Sequence, residues 1–180
     1  MLRLEKPAPA HQARYEAMMD EWEAQGGRIN PGALRRYSSA TQQKISYAKW
    51  LEWIVQDASA EICPQGSVPQ QLYFLLEGER LLGAISIRPL LTPEYLQWAG
   101  HMGYGIRPAE RRKGCAAKML ALALPLAKRC GIEKLLLVCD KDNLASAKTI
   151  QKNGGVLENE LTEDDGNVIQ RYWIDLEESQ

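Results

Sequence analysis

Neither an excess of charge of one sign nor a long apolar run marks this chain. Its 180 residues carry 22 Lys and Arg against 23 Asp and Glu, a formal net charge of -1. That leaves no broad basic surface of the kind nucleic acid or an anionic membrane calls for. The most apolar stretch, "MLALALPLA" (119–127), is short, contains Pro125 and runs into Lys128 and Arg129, which argues against a membrane span. The opening "MLRLEKPAPAHQ" lacks the apolar centre of a secretion signal. Metal ligands are equally scarce. The four cysteines, at 63, 115, 130 and 139, form no C-x-x-C pair, and the histidines are His11 and His101 alone, so a zinc framework lacks its ligand spacing. The thiols read as small packing residues in a reducing compartment. The expectation is a soluble, cytoplasmic protein with no metal, no nucleic-acid partner and no membrane partner.

What is present is ordinary globular material: 45% apolar and 25% charged residues, enough for one core and read as a single domain over 1–180. "LRLEK" (2–6) reads as an opening strand. "PAHQARYEAMMDEWEAQGG" (9–27), with Tyr15, Met18, Met19 and Trp22 at three-to-four spacing before paired glycines, predicts an amphipathic helix, and "SATQQKISYAKWLEWIVQDA" (39–58) a second behind a Ser or Thr cap. "LYFLLEG" (72–78) and "RLLGAISIRPL" (80–90) predict a hairpin, and "LQWAGHMGYGIR" (96–107) a third strand. Then the order alternates. A helix over 112–131, a buried strand "KLLLVCD" (134–140) and a helix over 143–155 predict a crossover between a locally parallel pair, with Pro125 expected to kink or divide the first of these helices. The chain ends in two strands around an Asp165-Gly166 turn. The fold class is therefore mixed α/β, a central twisted sheet of six to seven strands with helices on both faces.

Between the third strand and the helix that follows stands "RPAERRKGCA" (107–116), four cationic side chains against one glutamate. Cations beside a helix N-terminus oppose the helix dipole, and that conflict is relieved if an anion binds there. The first N–H groups of a helix have no partners of their own, so a phosphate is the natural occupant. Gly114 and Ala116 keep the backbone approachable, while Arg111, Arg112 and Lys113 surround the mouth. A Walker loop G-x-x-x-x-G-K-[ST] is absent, and "GYGIRP" (103–108) lacks the third glycine of a dinucleotide fingerprint.

Arg111-x-x-Gly114-x-Ala116, following a strand that ends Ile106-Arg107-Pro108, resembles the R/Q-x-x-G-x-G/A pyrophosphate loop of the GNAT acyl-CoA N-acyltransferase superfamily. "DNLASAKTIQKNGG" (142–155) is similar to that superfamily's later motif, and the order of elements matches along the whole chain. The resemblance implies acetyl-CoA as co-substrate and direct acetyl transfer to a primary amine in a ternary complex, the acceptor being a small molecule or a peptide. A non-catalytic acyl-CoA-binding module is the alternative, and a homodimer is compatible with the sequence. The resemblance further implies that the backbone of Arg111, Arg112, Lys113, Gly114, Cys115 and Ala116 cradles the CoA diphosphate. The strand at 104–106 would splay from that at 134–139, the N–H near Ile106 would polarise the thioester carbonyl, and Asn143 and, less directly, Ser146 would meet the pantetheine arm. Asn143 serves equally as a helix N-cap.

One departure concerns proton handling. Many members of the superfamily carry a Tyr seven residues after the motif's Asn, and here that position is Ile150. His101 and Tyr104 are the substitutes, as alternatives because an odd spacing puts them on opposite strand faces; Tyr104 shares the parity of Ile106 and is the nearer choice. Cys139 ends the facing strand and reads as a buried small hydrophobe. The aromatics Tyr37, Tyr47, Trp50, Trp53, Trp98, Tyr172 and Trp173 read mainly as packing, and "ENELTEDDG" (158–166) as a solvated hairpin tip.

Overall fold

The computed structural model describes residues 1–35, 44–58 and 68–177. Tyr37, Cys63 with most of its loop, and the candidate caps Ser39 and Thr41 lie outside the described residues. The rest forms seven strands, β1 (Leu2–Glu5), β2 (Gln71–Glu77), β3 (Arg80–Ile87), β4 (Met102–Ile106), β5 (Lys134–Asp140), β6 (Val156–Thr162) and β7 (Val168–Asp175). Among them run five helices, α1 (Gln12–Gln25), α2 (Tyr47–Asp57), α3 (Pro93–Trp98), α4 (Cys115–Arg129) and α5 (Leu144–Lys152). The mixed α/β class expected from the sequence is the one observed.

Strand order is β1-β2-β3-β4 in one sheet and β5-β7-β6 in the other. β2 reads as an almost unbroken apolar run because it is covered on both faces. Leu72, Phe74 and Leu76 meet Tyr15, Met18 and Trp22 of α1 and Tyr47 and Trp50 of α2. Tyr73 and Leu75 belong to the core built with Met119, Leu120 and Ala123 of α4, Leu135 and Leu137 of β5, and Tyr172 and Ile174 of β7. The Tyr15 and Trp50 rings lie 4.7 Å apart, so Tyr47, Trp50 and Tyr172 are packing residues as expected.

Three expectations need correction. The expected strand over 96–107 begins only at Met102, because residues 93–98 are helical: Thr92 caps α3 by accepting from the Tyr95 N–H at 3.3 Å, with Pro93 in its first turn. Second, no parallel pair forms among the described strands. Every ladder is antiparallel, and β4 and β5 touch through a single bridge, Gly100 to Leu137, ahead of β4 itself. Third, Pro125 does not divide α4, which is continuous from Cys115 to Arg129. Pro125 and Ala121, whose carbonyl loses its helical N–H partner, are both exposed, so water can serve that carbonyl. α2 is also shorter than expected, starting at Tyr47 behind Ser46, whose Oγ accepts from the Lys49 N–H at 3.2 Å.

Candidate active site

Because β4 and β5 share no ladder, a gap runs between two strands of neighbouring sheets. The antiparallel register fixes which groups face it. The Arg107 N–H donates to Leu82 O of β3 at 2.9 Å, so the alternation of an antiparallel strand turns the N–H groups of Tyr104 and Ile106 toward the opposite, open edge. The same argument on β5 runs from the bond between the Lys141 N–H and Val168 O, 2.8 Å, and leaves the Val138 N–H facing β4.

At its other end the gap is closed by His101. The His101 N–H donates to Leu136 O at 2.8 Å, and the Leu136 N–H donates to the His101 Nδ1 at 2.9 Å. The imidazole thus stands where a backbone carbonyl would in a ladder. Burial, aided by the nearby Arg88 charge, pushes His101 down to about 4 against an opposing contribution from Leu136. With Nδ1 accepting, the neutral ring carries its proton on Nε2 and has no free basic lone pair.

Tyr104 points the other way, as the odd spacing required. Its hydroxyl lies 2.8 Å from Ser146 Oγ, in the first turn of α5. Burial pushes the Tyr104 phenol up to about 12, with the Ser146 bond opposing and Cys139 adding to the rise. The buried Cys139 thiol is likewise pushed up by burial, against its hydrogen bond to Ser146. Tyr104, Ser146 and Cys139 therefore form one protonated cluster joining β4, α5 and β5. Asn143 caps α5, its Oδ1 accepting from the Ser146 N–H at 3.1 Å, which leaves its Nδ2 free to donate. Ile150 is fully buried, and Gly155 folds so close over it that a Cβ at 155 would lie 2.3 Å from Ile150 Cγ2. A tyrosine at 150 would have no room in this backbone.

The loop ahead of α4 is built from its main chain. None of the N–H groups from Arg112 to Ala117 has a hydrogen-bond partner among the described residues; the first helical bond runs from the Lys118 N–H to Gly114 O at 3.2 Å. Gly114 is the N-cap at φ 76, and a Cβ there would meet nothing within 4 Å, so its glycine is needed for the left-handed turn and for the open space beside it. Arg112 also adopts a left-handed φ of 62.

The cations divide. Arg107 donates through Nε to Glu21 of α1 at 2.8 Å, and Glu21 also accepts from the Ala109 N–H at 2.6 Å. Burial works against Glu21 ionising, but the Ala109 N–H and Arg107 outweigh it and hold this carboxyl below its usual range. Arg111 turns back on the protein: Nε reaches Ile106 O at 3.1 Å, Nη1 reaches Gln25 at 3.1 Å, and the guanidinium lies over the Trp22 ring. Lys113 is held at 3.1 Å by Glu110, which Arg80 also pairs. Arg112 is exposed and makes no hydrogen bond or ion pair among the described residues. The roles of Glu21 and Gln25 were invisible in sequence, since both reach the loop from 86 residues away.

A model of the acetyltransferase (GNAT) domain matches residues 2–156. The chain belongs to the GNAT acetyltransferase family. Members of this family take their acetyl group from acetyl-CoA, the co-substrate that the loop pattern implied. No curated protein sequence matches the chain significantly. Among solved structures it is similar to YncA of Salmonella typhimurium, solved with its cofactor acetyl-CoA, at 13% identity and a TM-score of 0.62, covering 99% of this chain and 95% of that one. It is also similar to the spermidine/spermine N-acetyltransferase SpeG of Vibrio cholerae, at 14% identity, TM-score 0.63, and 98% and 95% coverage. A third is the Salmonella typhimurium acetyl transferase that modifies the N-terminal serine of ribosomal protein L7/L12, at 17% identity, TM-score 0.63, and 97% and 94% coverage. At these identities the likeness is one of fold.

Proposed function

We propose that this GNAT acetyltransferase is an N-acetyltransferase that transfers the acetyl group of acetyl-CoA directly to a primary amine, with the whole chain acting as one domain. The observation that carries the reading is the row of N–H groups from Arg112 to Ala117, unpartnered among the described residues, at the mouth of α4, beside a gap whose strand edges can pair with an extended ligand arm. Those amides would hold the diphosphate, with Arg112 and Lys113 adding charge. Arg111, bound to Ile106 O and Gln25, would act as a positioning residue that ties the loop to the end of β4. The Asn143 Nδ2 and Ser146 would meet the pantetheine arm. Acetyl-CoA supplies an activated acyl group, and the N–H of Ile106 on the open edge of β4 would stabilise negative charge developing on its carbonyl oxygen.

The proton inventory points to Tyr104. As the C–N bond forms and the C–S bond breaks, the amine must lose one proton and the departing sulfur must gain one. Tyr104 holds a proton at every physiological pH and sits in the gap-side cluster, so it would act as the acid, its proton being restored from the amine through Ser146 or water. His101 would be a structural residue, its lone pair committed to Leu136. The same reading places the enzyme in the cytoplasm, where acetyl-CoA is available and Cys115, Cys130 and Cys139 stay reduced.

Calorimetric titration with acetyl-CoA, followed by thiol release across a broad panel of primary amines, tests this. Saturable binding with amine-dependent thiol release is the expected result. Binding without turnover on any amine would make the protein a non-catalytic acyl-CoA-binding module, and absence of binding would overturn the assignment of the loop.

A further inference from the structure

On the face of β4 opposite Tyr104 lies a cavity of about 280 Å³ between the segment after α1 and the segment carrying α3. Its charged lining is Arg28, Arg35 and Arg88 against one carboxylate, Glu94. Arg88 is the inner member. Its Nη1 donates to Gly100 O at 2.8 Å, and its guanidinium lies over the Tyr95 ring, 5.4 Å from the centroid. Nη2 faces Gly103 of β4, where a side chain would begin 3.3 Å from it. Arg88 forms no ion pair with any described carboxylate. Burial lowers its affinity for its proton, with Tyr95 and Asp57 opposing. Arg28 and Arg35 are exposed at the rim and unpaired among the described residues.

A partly buried guanidinium with no carboxylate in direct ion-pair contact among the described residues gains from a ligand that supplies one. Its planar fork matches a carboxylate or other oxyanion through two parallel N–H bonds. The floor of the cavity is the bare backbone of Gly103, one residue from Tyr104 and three from Ile106. A ligand anchored here by its anion would thus bring a second group against β4 from the side opposite α4 and α5. On the reading of this protein as an N-acetyltransferase, we infer that the acceptor is a small-molecule amine that also carries an oxyanion, a carboxylate in the simplest case: an amino acid or a compound of similar size. Arg88 grips the anion, Arg28 and Arg35 screen it at the rim, and the amine is directed to the open edge of β4. A volume of about 280 Å³ suits a ligand of that size. A polyamine, the acceptor named for SpeG, would meet three arginines and be repelled.

The test compares matched pairs of amines that differ by one carboxylate, such as amino acids against their decarboxylated amines, together with spermidine, by steady-state thiol release. The expected result is a kcat/KM at least 10-fold higher for the carboxylated partner, worth about 1.4 kcal/mol. Arg88→Gln should abolish this preference while the acetyl-CoA Kd is unchanged. Because Arg88 also packs on Tyr95, the rim double variant Arg28→Gln/Arg35→Gln is measured alongside; it should reduce the preference several-fold without altering the melting temperature. Equal or better turnover of decarboxylated amines or spermidine overturns the inference and leaves the N-acetyltransferase reading intact. So does a preference that survives in both variants. Failure of the wild-type protein to bind acetyl-CoA overturns the underlying reading and the inference with it.

Discussion

The two ends of the gap between β4 and β5 are made from different materials. At the closed end a side chain does backbone work, His101 Nδ1 taking the hydrogen bond that a strand carbonyl would take. At the open end and in the loop beyond it, backbone N–H groups from Arg112 to Ala117 stand without partners among the described residues, and of the loop's cations Arg112 alone is likewise unpaired there. The difference teaches where charge is useful. Most cations of the loop are already engaged by Glu21, Glu110 and Gln25, so they fix the loop's shape, and on the proposed reading an anion there would be held chiefly by the aligned amides.

The sharpest way to break this contrast is Gly114→Trp, which adds bulk to the open space beside the amides and forces a left-handed φ on a bulky residue. Acetyl-CoA binding by calorimetry should disappear while the circular dichroism spectrum is retained; surviving affinity would mean the loop is not the diphosphate site. Next in size, Tyr104→Phe should lower kcat by roughly 10²-fold with acetyl-CoA affinity nearly unchanged, as for loss of a general acid. Because the phenol is pushed up to about 12, wild-type activity should show no loss from Tyr104 ionisation as pH rises to 9 or so. Third, Ile150→Tyr should destabilise the protein by about 1–3 kcal/mol in urea unfolding and should not raise turnover, since the site is packed against Gly155 rather than open to the gap.

The smallest effect concerns the closed end. His101 has a folded-state pKa below its unfolded 6.5, so its contribution to stability is fully present above pH 6.5 and is lost as pH falls toward about 4. His101→Asn, which keeps an acceptor near Nδ1, should flatten the dependence of the urea midpoint on pH across that interval. A midpoint profile identical to wild type would show that protonation of His101 is not what opens this end.

The sequence made the loop at 107–116 legible because its signal is local: strand, glycine, cations and helix start are consecutive. The helices α1 and α5 and the β2–β3 hairpin were legible for the same reason. What it concealed is what depends on distant partners. Residues 93–98 carry a Thr92-Pro93 start, yet Leu96 and Trp98 adjoin the apolar run of β4, so sequence pattern alone merges the two into one strand. His101 stands in the sequence as a substitute for proton handling, while its charge state is set by burial and by Leu136, 35 residues away. Arg88, in the tail of an expected strand, carries no motif at all; only the fold encloses it beside Gly103. The expected parallel pair rested on topology, and the structure instead leaves β4 and β5 apart beyond a single bridge.

Arg112 is the one non-glycine residue at positive φ among the described residues. Such a conformation costs a residue with a Cβ on the order of 1–2 kcal/mol. A residue with a Cβ holds the loop to this turn more narrowly than glycine would, so on the proposed reading the loop has less freedom to lose on binding. It follows that Arg112→Gly, while relieving the strain, should leave the loop freer in the unbound state and weaken acetyl-CoA binding through entropy as well as charge. Arg112→Asn, which loses the same charge but tolerates the left-handed turn without glycine's added freedom, separates the two contributions.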